Sequence, residues 1–479
     1  MLSRSLVATV FALNLNGCTS FCSGAGCDDG FPSTIAVVHL GGSDDDGAII
    51  NPVDGYNSFS GLPSDGNGWS ATLPLDSYSG EGLIFGIPDQ SRVVMVDLIP
   101  ADDSVGAISL QDSLLNTLQS SVSGSDFGAS VSYVPDMNGD GIPEFSVGAP
   151  SETGGGTNSE AGAAYLFMGP MFEDDTEGSS QIPKVRVISE AAYDHLGEVI
   201  KGCEDVDGDG LGDLLIASPR ASLDGRLAGE VGLLSSQQLD TTAAEIQAGS
   251  LSANWTGVSG GDSLGASLSC RSGTVAIGAP YSSNVDTSNS GAVYLLNKHN
   301  MESGPINETA WITLTGQTDD QYFGSSLAMG DINGDGHIEI AVGSPGYDEG
   351  RGLVSVYSIK NLELGETDSI WELEGSLAGD RFGSHVEIAD RNGDGLGDLW
   401  VGAPRANPSA LNLSFYSGVL YLFYGDDKQD NPRPVSTLSE DADLTWHEAV
   451  GYRKLGANFV VGEINGDETA DLVVLLGAP

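Results

Sequence analysis

Four short segments place oxygen-bearing side chains at alternate positions, and all four span nine residues. They are Asp136, Asn138, Asp140 and Glu144; Asp205, Asp207, Asp209 and Asp213; Asp331, Asn333, Asp335 and Glu339; and Asp390, Asn392, Asp394 and Asp398. Side chains at positions 1, 3 and 5 can converge on one point when the chain curls around a hard cation. Glycine at position 6 permits the sharp turn, and the acid at position 9 closes the shell. Position 7, which is Ile142, Leu211, His337 and Leu396 in turn, offers its backbone carbonyl. Calcium accepts six to eight such oxygens at about 2.3–2.6 Å, whereas magnesium prefers a tighter octahedron and keeps water. No thiol or imidazole clustering favours zinc or copper. An ion-free Asp/Asn/Gly turn accounts for any one segment but poorly for four of matched spacing. Four Ca2+ sites are therefore expected. A fifth segment, Glu463, Asn465, Asp467, Thr469 and Asp471, has Glu in place of the first Asp and Glu468 in place of the turn glycine, so weaker binding is expected there.

The segments open like EF-hand loops, but the twelfth position, a bidentate Glu in that motif, is Val147, Ile216, Val342 and Val401. Each of these lies in a β-rich run, so the flanks are strands and not helices. Catalytic signals are poorer. Residues 261–265 spell Gly-Asp-Ser-Leu-Gly, which contains the GDSL signature of a lipase/esterase family and also fits G-x-S-x-G. A serine nucleophile needs a neighbouring base and an oxyanion hole. The string aligns with Gly379-Asp380-Arg381-Phe382-Gly383, an ordinary repeat step, and no Asp-x-x-His partner follows near the C-terminus. His39, His195 and His385 read as packing or exposed residues. Trp446-His447-Glu448 lacks the second His of a zinc-protease helix. Acidic pairs suited to glycoside cleavage are too numerous to place from sequence. No catalytic residue is assigned, and the chain is expected to be a non-enzyme.

The acidic segments sit inside a repeat of roughly 64 residues, a period typical of repetitive β architectures. Phe127-Gly128 leads through the first acidic segment to Gly148-Ala149-Pro150. The same order joins Leu196-Gly197 to Ala217-Ser218-Pro219, Leu264-Gly265 to Gly278-Ala279-Pro280, and Phe323-Gly324 to Gly343-Ser344-Pro345. It joins Phe382-Gly383 to Gly402-Ala403-Pro404 and Leu455-Gly456 to Gly477-Ala478-Pro479. A worn copy opens the series, with Trp69-Ser70 and then Phe85-Gly86-Ile87-Pro88, making seven. The Leu264 and Trp69 copies carry no acidic segment. β-Rich runs follow at 92–98, 163–167, 230–234, 292–296, 353–357 and 419–424, and each unit has room for four strands. The seventh copy lacks such a run, while residues 34–40 form an unused one at the other end. Joining the two closes a ring without long exposed edges, which a stacked solenoid would not do.

The pattern resembles the FG-GAP repeats of the integrin α-chain N-terminal propeller and its bacterial relatives, over about residues 34–479. The resemblance implies an all-β, seven-bladed β-propeller whose N-terminal strand completes the last blade. It also implies calcium loops of the β-hairpin type, and suggests adhesion. The integrin leg domains, transmembrane helix, cytoplasmic tail and inserted adhesion domain have no counterpart in the sequence.

Composition sets the outer bounds. Sixty-eight acidic against 18 basic residues give a net charge of −50, which repels phosphate backbones and anionic lipid headgroups. Nucleic acid is excluded as a partner. The 40% hydrophobic content is far above that of a disordered acidic chain, and 67 glycines disfavour a mainly helical fold. Residues 1–18 carry Arg4 and then a short apolar run, the layout of an export signal. The end, Leu15-Asn16-Gly17-Cys18, resembles a bacterial lipobox with Cys18 as the lipidated residue; an ordinary signal peptide is the alternative. Residues 19–33 read as a tether. Cys22 and Cys27 could close a small loop there, and Cys203 and Cys270 are either a bridge between neighbouring repeats or two buried thiols.

The expected protein is exported, either secreted or a lipoprotein of the outer membrane or cell surface, with the lipid as its one membrane contact. Its partner would be an unidentified protein or glycan, met through loops at 151–160, 171–181, 406–415 and 426–450. A propeller hydrolase or lyase acting on polysaccharide, and a structural module of the envelope, are the alternatives.

Overall fold

A computed structural model describes residues 9–13, 34–39, 70–72, 82–88, 91–97, 114–153, 159–169, 183–189, 191–223, 226–239, 245–298, 301–407, 417–425, 436–437, 442–447, 454–462 and 471–476. Among them are seven sheets of four or five strands, each built mainly from consecutive antiparallel neighbours, plus one two-stranded hairpin. The first strands of these sheets are Ser70–Thr72, Ser130–Val134, Val199–Cys203, Ser267–Arg271, Ser326–Gly330, His385–Ala389 and Phe459–Gly462. They adjoin one another in chain order, and the last adjoins the first. This ring of sheets is a β-propeller. No helix among the described residues is long and apolar enough to cross a membrane.

Closure happens where the sequence places it. Thr34–His39 pairs antiparallel with Asp471–Leu476, in the register Thr34 to Leu476 through Val38 to Leu472. Thr9–Leu13, the heart of the apolar run in the proposed export signal, pairs in turn with Thr34–His39 as the outer strand of that sheet. The worn copy also forms a full sheet, from Ser70–Thr72 to Leu114–Gln119.

The core lies between sheets. Each cluster of buried apolar residues draws on two consecutive sheets, and the repeat residues Phe127, Leu196, Leu264, Phe323, Phe382 and Leu455 are all buried. Burying one such side chain contributes about 1.5–3 kcal/mol. The backbone N–H of Leu264, Phe323, Phe382 and Leu455 donates to the sheet before it, at Ala228, Ser290, Arg351 and Ser417. Each repeat step thus anchors its own sheet and covers its neighbour.

The two glycines of the repeat have a joint purpose. Within a sheet, the N–H of Gly128, Gly265, Gly324 and Gly383 donates to the carbonyl of Gly148, Gly278, Gly343 and Gly402. Across the junction, a Cβ on Gly148, Gly278, Gly343 or Gly402 would collide with the carbonyl oxygen of Gly197, Gly324, Gly383 or Gly456. Three junctions are also stitched by hydroxyls: Ser130 Oγ donates to Gly197 O at 2.7 Å, Ser267 to Gly324 at 2.7 Å and Ser326 to Gly383 at 2.9 Å. Proline then stops the second strand, which ends at Ala149, Ser218, Ala279, Ser344 and Ala403.

The Leu196 copy departs from this scheme. Ala217 replaces the glycine and Val199, its cross-strand partner, replaces the serine. At that junction Cys203 and Cys270 form a disulfide between neighbouring first strands, with 5.6 Å between Cα atoms. The bridge reading therefore holds over two free thiols. Cys18, Cys22 and Cys27 lie outside the described residues.

Segment 426–450, read above as a partner-binding loop, is corrected in part. Ser436–Thr437 and Leu444–His447 are strands, and Trp446 stacks on Trp400 at 5.3 Å. Ser436–Thr437 adds a parallel strand to the outer edge of the preceding sheet, beside Trp371–Glu374. Glu245–Gln247 and Gly304–Pro305 do the same for the sheets before theirs, covering edges that would otherwise invite pairing. Segment 151–160 is corrected at Glu152, which is buried and accepts hydrogen bonds from Tyr165 and Arg186. Ala406 is buried as well; segment 171–181 and residues 408–415 lie outside the described residues.

The glycine contacts give a direct test. Gly402→Ala should cost about 1–3 kcal/mol through forced separation of two sheets. Gly249→Ala, at a site with nothing within 4 Å, should leave stability nearly unchanged. Denaturant unfolding of both variants checks this, and equal midpoints would remove the steric explanation of the repeat.

Candidate metal centres

All four acidic loops join the first and second strands of their sheets. The position-9 acid is the first residue of the second strand in each: Glu144, Asp213, Glu339 and Asp398. Asp471 opens the second strand of the seventh copy in the same way. Glu463, Asn465, Asp467 and Thr469 lie outside the described residues.

The loops share one internal geometry. At position 1, Asp136 accepts the N–H of Gly139 and of Gly141, both at 2.7 Å. Asp331 does so from Gly334 and Gly336, and Asp390 from Gly393 and Gly395. Asp205 accepts from Gly208 at 2.6 Å. At position 3, Asn138, Asp207, Asn333 and Asn392 each accept the N–H of the position-5 residue. At position 5, Asp140, Asp209, Asp335 and Asp394 accept the position-7 N–H of Ile142, Leu211, His337 and Leu396. The curl foreseen in the sequence is therefore present, with side-chain oxygens turned inward and His337 exposed. Carboxylate oxygens of Asp136, Asp140 and Glu144 lie within 4.8 Å of one another, as do those of Asp205, Asp207 and Asp209.

The closing acids are the unusual members, because all four are fully buried. Each accepts a backbone N–H from position 2: Met137, Val206, Ile332 and Arg391, at 2.6–3.1 Å. That bond does not offset the loss of water. Burial pushes the Glu144 carboxyl up to about 8, with like charge from Asp136 and Asp140 adding to it. Burial also pushes Asp213, Glu339 and Asp398 up to about 7, again reinforced by neighbouring acids. Asp213 Oδ1 is buried with no hydrogen-bond partner. An all-oxygen donor set with surplus negative charge and an orphaned carboxylate oxygen fits a hard divalent cation.

Several contributors escape a reading of the loops alone. Ser236 Oγ donates to Asp209, and Lys360 Nζ lies 3.4 Å from Asp335, so two of the position-5 acids have partners outside their loops. Gly212 N–H donates to Asp136 O and Gly397 N–H to Asp331 O, both at 2.7 Å, tying adjacent loops together. The signal for this was glycine at position 8 in two loops out of four.

The GDSL string is a turn. Ser263 has φ of 53°, and the aligned residues Asp126, His195, Tyr322, Arg381 and Lys454 share that left-handed conformation. Asp262 is buried and caps the turn by accepting the Ser259 N–H at 2.7 Å. Asp380 does the same for Leu377, and Gln321 for Gln317. A turn-capping Asp or Gln two residues before Phe/Leu-Gly is thus a further element of the repeat.

The buried acids fix a pH dependence. A carboxyl whose folded pKa lies above its unfolded value favours the folded state less as pH rises through that interval. Without divalent ions, the unfolding midpoint should fall between pH 5 and pH 8. Added calcium should recover most of the loss at pH 8 and little at pH 5. Thermal melts of metal-depleted protein across this range check both, and a midpoint that rises towards pH 8 would contradict the assignment.

Comparison with known proteins agrees with the repeat. The FG-GAP repeat family model matches residues 127–167 and 323–357. Phosphatidylinositol-glycan-specific phospholipase D of Bos taurus is 33% identical over 166 residues, which is 33% of this chain and 18% of that protein. Integrin alpha-PS2 of Drosophila melanogaster is 32% identical over 168 residues, 34% of this chain and 11% of the integrin. The chain thus spans less than a fifth of the length of either relative. Among solved structures, Chaetomium thermophilum Sqt1 bound to the N-terminus of ribosomal protein L10 aligns over 94% of this chain and 91% of that one, at 14% identity and a TM-score of 0.49. The propeller assignment rests on the ring of sheets itself. The chain carries FG-GAP repeats and is similar, over about a third of its length, to integrin α-chains and to these phospholipases.

Proposed function

We propose that this protein is an exported, calcium-stiffened propeller that binds a protein or glycan at the cell surface, with adhesion as the favoured role. The observation carrying the calcium part is the fully buried acid at the end of each of four matched loops, with the orphaned Asp213 oxygen among them. Asp136, Asn138, Asp140, the Ile142 carbonyl and Glu144 would hold one ion, and the matching residues of the other three loops one each. The altered loop at 463–471 would hold a fifth more weakly. Each ion would neutralise clustered carboxylates and fix the hairpin that carries them.

Export is supported by the Cys203–Cys270 disulfide, since such bridges persist in oxidising compartments. It is also supported by the similarity to integrins; residues 1–17 would be the signal, whose removal would leave Thr34–His39 as the outer strand of the closing sheet, and Cys18 would carry the lipid anchor. The binding role draws on the similarity to integrin α-chains. Catalysis on a glycoconjugate or polysaccharide is the second reading, favoured by the similarity to the phospholipases.

Calcium depletion should lower the unfolding midpoint reversibly. Each site should return about 2.7 kcal/mol when free calcium stands at 100 times its dissociation constant. Melts before and after dialysis, with ion counting by elemental analysis, test the calcium part. Purified protein screened against cells, glycan arrays and model glycosides or phosphodiesters tests the rest. Saturable binding without turnover supports the binding role, and turnover abolished by one pocket substitution replaces it with the enzymatic one.

A further inference from the structure

We propose that the four loops take up their ions as two coupled pairs, 136–144 with 205–213 and 331–339 with 390–398, each pair sharing one peptide unit. This rests on the calcium reading above. A peptide's carbonyl and the following N–H belong to one conjugated group, so charge drawn from the oxygen makes the N–H a stronger donor. The Leu211 carbonyl is the position-7 donor of the 205–213 loop, and its partner N–H, that of Gly212, donates to Asp136 O at 2.7 Å. Asp136 O shares its peptide with the Met137 N–H, which donates to Glu144 Oε2 at 2.6 Å. An ion held at Leu211 is therefore linked through two peptides to the closing acid of the other loop.

The second pair repeats every step. Gly397 N–H, on the Leu396 peptide, donates to Asp331 O at 2.7 Å, and Ile332 N–H donates to Glu339 Oε2 at 3.1 Å. Polarisation along such a chain reinforces each bond. Packing adds to it: Leu211 Cδ2 lies 3.7 Å from where a Gly139 Cβ would be, and Leu396 Cδ2 lies 2.6 Å from that of Gly334. The position-7 side chain of one loop thus covers the position-4 glycine of the other.

Composition follows the same pairing. The donating loops have glycine at position 8 and Asp at position 9; the accepting loops have Pro143 or Ile338, then Glu144 or Glu339. A Cβ on Gly212 would collide with the Pro135 carbonyl, and one on Gly397 would come within 3.1 Å of Asp331 O. The sheet between the pairs turns at Arg271–Thr274 with no acidic loop, so the relay stops there. Asp213 Oδ1, buried and unpartnered, places a vacant ligand atom inside a donating loop. Ordering one loop prepays part of the ordering of the other, so the coupling is positive within a pair and absent between pairs. Repulsion between the ions opposes it but is screened at the solvent-facing loops.

The test is calcium calorimetry on the calcium-depleted full chain, with ions counted by elemental analysis. On a background with Asp335→Ala and Asp394→Ala silencing one pair, Asp209→Ala should weaken calcium binding at the 136–144 loop at least about five-fold. Asp140→Ala should weaken the 205–213 loop by the same factor, as linkage requires. The mirror background, Asp140→Ala with Asp209→Ala, should give the same result when Asp394→Ala and Asp335→Ala are added singly to it through the other pair, so a poorly folded variant in one pair leaves the other to decide. Unchanged affinity at the surviving loop overturns the coupling while leaving the calcium sites intact. A parent protein that takes up no calcium overturns both.

Discussion

The structure depends on how closely two backbones approach at each junction between sheets. The carbonyl of one repeat glycine occupies the space where the side chain of another would be. That approach lets Phe323, Phe382 and their counterparts fill the gap between neighbouring sheets, and the paired clusters of buried residues follow from it. Where the approach is relaxed, at the Ala217 copy, the Cys203–Cys270 disulfide holds the junction. At the Gly402 junction the close approach is kept, and His385 stands where the stitching serine would be, its imidazole edge-on to Phe459 at 4.6 Å.

The same architecture creates the electrostatic problem of the loops. Opening the second strand with an acid puts that carboxylate under a close-packed sheet, out of reach of water, in a chain that already carries a charge of −50. Hydrogen bonds from the backbone hold its direction but do not neutralise it. A cation or a proton must compensate, and the raised pKa values of Glu144, Asp213, Glu339 and Asp398 express that competition.

Much of this was legible in the sequence because the period is short and its signals are chemical. Phe-Gly, Gly-Ala-Pro and the alternate acids recur at fixed offsets, so the second and third strands and the closing strand are located within a residue or two. The strands at 163–167 and 230–234 match at both ends. What escaped has a common cause: it joins different repeats through space. Glu245–Gln247 and Ser436–Thr437 serve the sheet before their own, a role no local pattern encodes. Gly212 looks like any loop glycine until the Asp136 carbonyl is seen beside it. The alignment that marked Ser263 as an ordinary repeat step agrees with its backbone, whose left-handed twist its five aligned counterparts share. The burial of the position-9 acids was also hidden, since an Asp or Glu at a loop end is usually solvated.

The seam between Thr34–His39 and Asp471–Leu476 has a kinetic meaning. Elsewhere the first strands pair with near neighbours in sequence, contacts that form quickly, whereas the seam joins segments at opposite ends of the repeat array. Rates fall as the separation of contacting residues grows. Assembly should therefore run sheet by sheet into an open horseshoe, with the last bond made between its tips. Until then two bare strand edges face solvent, and at high concentration a second chain competes with the molecule's own terminus for them.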